Sequence, residues 1–161
     1  MKAKYIALAI IVIAAVAIAV FYFTFISPIF VSKPAMPKPE LGATIEAENV
    51  NWLSNELGAY MLHPDLSDNP PVFQIRLSDT DQIFTVSVIN NVPSTETGQT
   101  AEPDIRMTMD SPTFRELYEA TDFNAKVNEL YNEGSVTVEL LKDTTTLAIK
   151  GYKGVYDMLG S

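Results

Sequence analysis

The first strong pattern along the chain is an uncharged apolar segment at residues 5–26. It is rich in Ile, Val, Ala and Leu and ends in a cluster of aromatic residues. A helix of this length spans about 33 Å, enough for a hydrocarbon core of about 30 Å, and aromatic residues are typical of the membrane interface. The pattern predicts one transmembrane helix in preference to a buried core helix, which rarely lacks a polar face over such a length.

A cleaved signal peptide is the rival interpretation of this segment, because Lys2 and Lys4 precede it and Ala17 and Ala19 resemble a cleavage site. Cleavage there would expose an aromatic stretch to water, which favours an uncleaved anchor. Two lysines precede the segment and two follow it closely, so the positive-inside count is tied. The α-amino group and the closeness of Lys2 and Lys4 favour a single-pass protein of the cell membrane with a cytoplasmic N-terminus and an extracytoplasmic C-terminal domain.

Residues 27–41 contain four prolines and few apolar groups. This composition disfavours a helix and cannot supply a core element, and proline-rich chain extends by about 3.1 Å per residue. We expect a stalk here, followed by one folded domain at residues 42–161.

The first half of that domain changes from a helical to a strand pattern. Apolar residues at helical spacing over 45–62 predict an amphipathic helix. From Val72 the period becomes two, and two such runs around the polar turn at residues 78–81 predict a β-hairpin. A polar segment at residues 90–103 then precedes a third predicted strand at residues 105–109.

The second half contains helices and strands in clusters. Ser111 is expected to cap one helix, Asp122 to cap a second, and Gly134 to end it. Further apolar runs predict strands at 136–140 and 147–149 and a final helix that carries Tyr152 and Leu159. Because the strands are clustered, we expect an α+β fold with an antiparallel sheet of about five strands, covered by helices on one face.

Charge and composition narrow the classes of partner. The net charge is −9, and from residue 40 onward seven basic residues face 20 acidic ones, which leaves −13. Such a domain repels nucleic acid and anionic lipid surfaces, so we expect no nucleic-acid partner. The absence of cysteine excludes disulfides, thiolate catalysis and cysteine-bound zinc.

Catalytic chemistry has few candidates. The single histidine, His63, begins the tripeptide His-Pro-Asp of co-chaperone J-domains, but the preceding helix is acidic where theirs is basic, so an ordinary loop histidine is preferred. Without more histidines, catalytic triads and transition-metal sites lack their base or ligands. The close carboxylate pairs all lie in predicted turns, where solvent exposure is expected: Asp65 with Asp68, Asp79 with Asp81, and Glu102 with Asp104. We predict no catalytic residue, no metal, no cofactor and no enzymatic activity.

Several stretches of the sequence resemble the sterol carrier protein 2 (SCP2-like) domain family: Asp104-Ile105-Arg106-Met107-Thr108-Met109, Ser111-Pro112-Thr113-Phe114-Arg115-Glu116-Leu117, Gly134-Ser135-Val136-Thr137-Val138 and Ile149-Lys150-Gly151. The resemblance covers about residues 45–160. It implies a five-stranded antiparallel sheet backed by helices, which holds a lipid or fatty-acyl chain in an apolar tunnel and has no catalytic residue.

Large aromatic residues are frequent at inward-facing positions of the predicted elements: Phe84, Phe114, Tyr118, Phe123, Tyr131, Tyr152 and Tyr156. They either fill a plain core or line a cavity. Together with the resemblance, they lead us to predict a pocket for one lipid chain, lined by Phe84, Phe114, Leu117, Phe123, Val127 and Leu159. The competing hypothesis is a non-catalytic interaction module with a filled core, which presents its acidic surface to a basic partner protein.

Overall fold

The computed structural model describes residues 12–13, 15–18 and 31–160, with the backbone alone at residues 157–160. The chain forms two compact units, Met1–Val31 and Ser32–Ser161.

The predicted transmembrane helix at residues 5–26 lies outside the described residues, apart from 12–13 and 15–18, which are helical. Within the described ranges, no helix is both long enough and apolar enough to cross a membrane.

The second unit is built from helices and a sheet. In chain order its elements are α1 (Ala47–Glu56), a 3-10 helix (Ala59–Met61), β1 (Val72–Leu77), β2 (Gln82–Ile89), β3 (Val92–Thr97), β4 (Ile105–Met109), α2 (Ser111–Glu119), α3 (Phe123–Asn132), β5 (Thr137–Leu140), α4 (Thr144–Ile149) and α5 (Tyr152–Gly160).

The five strands form one mixed sheet in the order β3-β2-β1-β4-β5. Three pairings are antiparallel, but β4 runs parallel to β1, so the prediction of an antiparallel sheet is wrong at this pairing. The cause is the connection at residues 98–104, which ends beside the start of β1, where Asp104 N donates to Val72 O at 2.6 Å. Because β4 begins at the same end of the sheet as β1, the two strands must run in the same direction.

The same connection covers part of the second face of the sheet. Gly98 N donates to Ile83 O at the other end of the segment. Between these ends, Thr85 Oγ1 donates to Gly98 O at 2.6 Å and accepts from Thr100 N at 3.3 Å. Thr85 is therefore buried although it lies on the opposite side of β2 from Phe84.

Strand β3 lies inside the segment predicted to be polar loop. Asn90 and Asn91 both have positive φ, 52° and 64°, which is the requirement of a two-residue hairpin turn between β2 and β3. The strand carries few apolar side chains, and one of its contacts with α1 is polar: Thr95 Oγ1 donates to Asn51 Oδ1 at 3.0 Å. The side chains of β3 therefore do not alternate between apolar and polar, and the hydrophobic pattern does not predict this strand.

Residues 147–149, predicted as a strand, belong to helix α4 instead. The Asp143 carboxylate accepts hydrogen bonds from Thr145 N and Thr146 N, both at 3.0 Å. The amides of the first helical turn have no backbone acceptor inside the helix, and these bonds satisfy two of them. The cap therefore stabilises a helix here, although threonine by itself favours a strand.

The other helix ends agree more closely with prediction. Asp110 caps α2, one residue before the predicted Ser111, and its carboxylate accepts from Thr113 N at 2.8 Å. Asp122 caps α3 as expected, and Gly134 follows that helix with φ 79°. The predicted helix at residues 45–62 is divided, because Gly58 adopts φ 84° between α1 and the 3-10 helix.

Residues 33–43, here called the strap, form no helix or strand and lie against α1 and α2. Carbonyl groups of the strap accept hydrogen bonds from three helix side chains: Asn55 Nδ2 to Pro34 O at 3.1 Å, Tyr118 Oη to Pro39 O at 2.7 Å and Arg115 Nη1 to Gly42 O at 2.8 Å. The compact unit consequently begins at Ser32, before the predicted domain boundary at residue 42. Most of the predicted stalk at residues 27–41 that the structure describes is in contact with the domain.

One hydrophobic core lies between the sheet and the helices. Strands β1, β2 and β4 contribute alternate residues to it, as the period of two predicts: Phe73, Ile75, Leu77, Phe84, Val86, Val88, Ile105, Met107 and Met109. Helical residues on the same side of the sheet complete the core, among them Val50, Leu53, Phe114, Leu117 and Val127.

Candidate functional site

Most of the residues predicted to line a pocket lie in this core. Phe84, Phe114, Leu117 and Val127 are at most 1% exposed, and Phe123 is partly buried against them. The side chain of Leu159 lies outside the described residues. Phe84, Phe114, Leu117 and Val127 thus belong to the packed core, and Phe123 lies at its margin.

A separate apolar groove lies between the β4–β5 end of the sheet and the last two helices. Its volume is about 210 Å³. The groove is lined by Ile105, Val138, Leu140, Thr144, Leu147, Ala148, Tyr152, Lys153, Val155 and Tyr156. Among these, Leu140 and Tyr156 are each 47% exposed, so apolar surface continues from the groove to its rim.

The fold explains why the groove is open. Strand β5 has only four residues and, among the strands that the structure describes, pairs with β4 alone, so it covers little of the space under the helices. Helix α4 buries Leu147 and α5 buries Val155, and both side chains line the groove. Gly151, with φ 87°, makes the sharp turn between the two helices, and a Cβ atom there would lie 3.3 Å from Met61 O. The groove is therefore framed by a tight helix–helix turn and a short edge strand.

A buried polar network adjoins the groove at Tyr152, which lines one of its walls. Tyr152 Oη lies 3.1 Å from Val72 O and 3.0 Å from Asp104 Oδ2, and these two acceptors compete for its single proton. Lys150 Nζ lies 2.8 Å from Asp104 Oδ1 and also donates to Pro70 O at 3.0 Å. The network joins the starts of β1 and β4 to the turn between α4 and α5.

Burial determines the chemistry of this network. Asp104, Lys150 and Tyr152 are 2%, 5% and 4% exposed. Burial, and secondarily the Asp104 carboxylate, raises the pKa of Tyr152 well above the ordinary value. The phenol therefore stays protonated at neutral pH and keeps its one donor hydrogen for these acceptors. A closed network of this kind holds the groove in shape, and it offers no exposed nucleophile or base.

The prediction of solvent exposure is wrong for Asp104, which is 2% exposed because Lys150 and Tyr152 enclose it. Two of the other carboxylates that the sequence placed in turns accept hydrogen bonds from backbone amides. The side chain and backbone amide of Asn69 donate to the Asp65 carboxylate, and these bonds, with a smaller contribution from Ser67 N at 2.8 Å, lower the pKa of Asp65. Asp79 Oδ1 accepts from Ser111 N at 2.9 Å. In the part of the chain that the structure describes, no three His, Asp or Glu side chains are grouped so as to hold a metal ion.

Sequence reasoning missed the groove because it assigned Leu147 to a strand. It also treated Lys150 only as part of a family-like tripeptide, although a lysine inside an apolar run is an indication of a buried ion pair. The cap signal at Asp143, followed by three threonines and three apolar residues, could have revealed α4.

Comparison with known proteins gives low similarities. No protein-family model and no curated protein matches the sequence. The chain is similar to the solved structure of a ubiquinone synthesis protein, UbiJ-SCP2, with 9% identity and a TM-score of 0.43, over 70% of this chain and 94% of that one. It is also similar to the stereoselective inverting sec-alkylsulfatase Pisa1 from Pseudomonas sp., with 16% identity and a TM-score of 0.36, over 57% of this chain.

A double mutant of the sec-alkyl sulfatase PisA1 gives a TM-score of 0.38 at the same identity. This chain spans 13% of the length of each sulfatase chain. Because each of these TM-scores is below 0.5, the similarities do not establish membership of a family.

Proposed function

We propose that this chain is a lipid-binding domain which takes up one apolar chain in the groove between β5 and helices α4 and α5. The observation that carries the proposal is the groove itself, which is open to solvent and lined mainly by aliphatic side chains. Exposed apolar surface is normally avoided in soluble domains unless it binds something. The resemblance of the sequence to the SCP2-like family points to the same class of ligand.

The size of the groove limits the ligand and its affinity. A volume of 210 Å³ corresponds to about seven methylene-sized groups, if each takes roughly the 30 Å³ of a liquid water molecule. Burial of about seven methylenes at ~0.8 kcal/mol each gains about 6 kcal/mol before the costs of ordering. Micromolar or weaker affinity for a short chain, or for the end of a longer one, is therefore expected.

We further propose that residues 5–26 anchor the domain in the cell membrane with the N-terminus in the cytoplasm and the domain outside. The proposal rests on the uncharged apolar composition of this segment and on the two lysines before it. It would place the groove close to a source of lipid. We propose no catalytic role for the domain, since the buried Asp104, Lys150 and Tyr152 side chains are inaccessible to a substrate.

The test of lipid binding is to fill the groove. Ala148→Phe adds an aromatic ring to the groove wall, whereas Ala125→Phe adds the same ring at an exposed position of α3 outside it. Photolabelling of the full chain with a diazirine derivative of octanoate, followed by mass spectrometry, measures uptake. Ala148→Phe should weaken labelling about tenfold or more, because exclusion of two methylenes already exceeds the ~1.4 kcal/mol that a factor of ten requires. Equal labelling of both variants, or none of the wild type, would contradict lipid binding in the groove.

The interaction module remains a second candidate, and the filled aromatic core favours it. With Phe84, Phe114 and Leu117 packed in the interior, the domain can act as a rigid scaffold whose surface carries the excess of acidic residues. If the domain is such a module, Ala148→Phe should not change its binding of a partner protein. Substitution of surface carboxylates should weaken that binding and make it less dependent on salt concentration.

A further inference from the structure

Lys38 of the strap lies over two aromatic rings, those of Trp52 and Tyr118. Its Nζ atom lies 4.6 Å from the centroid of the Trp52 ring and 4.6 Å from that of Tyr118, and it also donates to Tyr118 O. The two rings meet edge to face, with centroids 4.7 Å apart. A cation over two aromatic faces with a carbonyl acceptor beside it has the arrangement of an aromatic cation site. In this structure the chain's own lysine occupies it.

The contacts of the strap are those of a segment that can leave. Lys38 is exposed and Trp52 is partly exposed, so their contact is at the surface, where cation–π attraction is weakest. The strap forms no regular helix or strand, and its hydrogen bonds to α1 and α2 use carbonyl groups that water could satisfy in the open state. Its apolar contact with the core is made by one side chain, Leu41, which is only partly buried. By contrast, the neighbouring Tyr118 belongs to α2, where its ring stacks on the buried Phe114 with centroids 5.9 Å apart, so one wall of the site would persist without the strap.

We propose that residues 33–43 form a reversible strap closed by Lys38, and that its opening makes the Trp52–Tyr118 pair a docking site for a lysine or arginine of a partner protein. The occupant is inferred from the lysine already seated there and from the charge of the domain, −13 from residue 40 onward, which attracts a basic segment. A cleft of about 340 Å³ adjoins Trp52 between the strap, α1 and β3, and Glu48 and Asn51 are among its lining residues. It offers room and polar groups for the residues that flank the docked cation.

The first part of the test measures closure of the strap in the full chain. Trp52 is the single tryptophan of the sequence, so its emission reports on the site directly. Lys38→Gln should red-shift this emission and speed amide hydrogen exchange in residues 33–43 by about two- to fivefold, the value of one exposed cation–π contact. Lys33→Gln is the matched control: it removes the same charge from the strap, where Lys33 pairs with Glu56, and should leave the emission of Trp52 unchanged.

The second part measures docking in trans with a synthetic peptide of residues 33–40. The peptide should bind the Lys38→Gln chain several-fold more tightly than it binds the wild-type chain, and it should reverse the red shift. The same peptide with Gln at position 38 should do neither. Equal binding of the two peptides would overturn the cation site.

Two outcomes would overturn the reversible strap. One is unchanged exchange in residues 33–43 of the Lys38→Gln chain. The other is faster exchange in β1 and β2 together with the strap, because this would make the strap a part of the cooperative core.

Discussion

The two ends of the sheet are covered in different ways. Around Phe84 and Phe114 the helices close on strands that are paired on both sides, and large aromatic side chains fill the space between them. At the other end, β5 is short and lies at the edge, and Leu140 remains half exposed beside an open groove. Fully buried Phe side chains therefore mark the closed part of this domain, whereas the open groove is lined by aliphatic residues of a short edge strand and by tyrosines of α5.

The largest loss of stability should come from removing the partner of the buried Asp104 carboxylate, which lies beside the groove. Lys150→Met removes the amine that Asp104 contacts at 2.8 Å and leaves a buried carboxylate uncompensated. We expect the free energy of unfolding, measured in urea, to fall by about 3–5 kcal/mol. Lys142→Met is the control, because its partner Glu102 is 83% exposed, and should cost at most about 1 kcal/mol. Similar losses for the two variants would mean that the network does not support this end of the domain.

Truncation of one leucine in each region should separate stability from binding. Leu117→Ala opens a cavity in the closed core and should cost about 2–5 kcal/mol of unfolding free energy. Leu140→Ala, at the rim of the groove, should change stability by no more than about 0.5 kcal/mol but weaken octanoate labelling. A large loss of stability for Leu140→Ala with unchanged labelling would remove the distinction between the two regions.

A smaller effect is expected from the hydroxyl that connects the network to the groove. Tyr152→Phe leaves Asp104 with one hydrogen bond fewer in a buried site, at a cost of about 1–3 kcal/mol near neutral pH. Because the pKa of Tyr152 is raised on folding, its contribution is fully present below the ordinary tyrosine value of 10.0 and is lost as the pH rises through the folded-state pKa. The difference in stability between wild type and Tyr152→Phe should therefore shrink as the pH is raised above 10.0. If the difference in stability between the two proteins stayed constant above pH 10.0, the Tyr152 hydroxyl would not be buried as described.

The sequence predicts the hairpin of β1 and β2 well, because its signal is simple. Phe73 pairs with Val86 and Ile75 with Phe84, so the alternating apolar residues of both strands lie on one face. Strand β3 escapes detection because Thr95 meets Asn51 through a hydrogen bond, and such a contact has no hydrophobic period. The parallel pairing of β4 escapes for another reason: strand direction depends on where the connection at residues 98–104 crosses, and local patterns carry no information on that path.

The site is harder to predict than the fold. The residues of the groove come from four separate elements, and only the packing of α4 and α5 beside β5 brings them together. Inward-facing aromatic residues are visible in sequence, but whether they leave a space depends on how completely the helices close over them. For Phe84, Phe114 and Leu117 the closure is complete, which is a property of three-dimensional packing.

The most direct test of the central claim is methyl NMR of the full chain during titration with octanoate. If an apolar chain enters the groove, the methyl resonances of Leu140, Leu147 and Val155 shift in a saturable manner, while those of Leu117 and Val127 in the closed core do not. Shifts confined to Leu117 and Val127 would place the ligand in the aromatic core, and the absence of any saturable shift would contradict lipid binding by this domain.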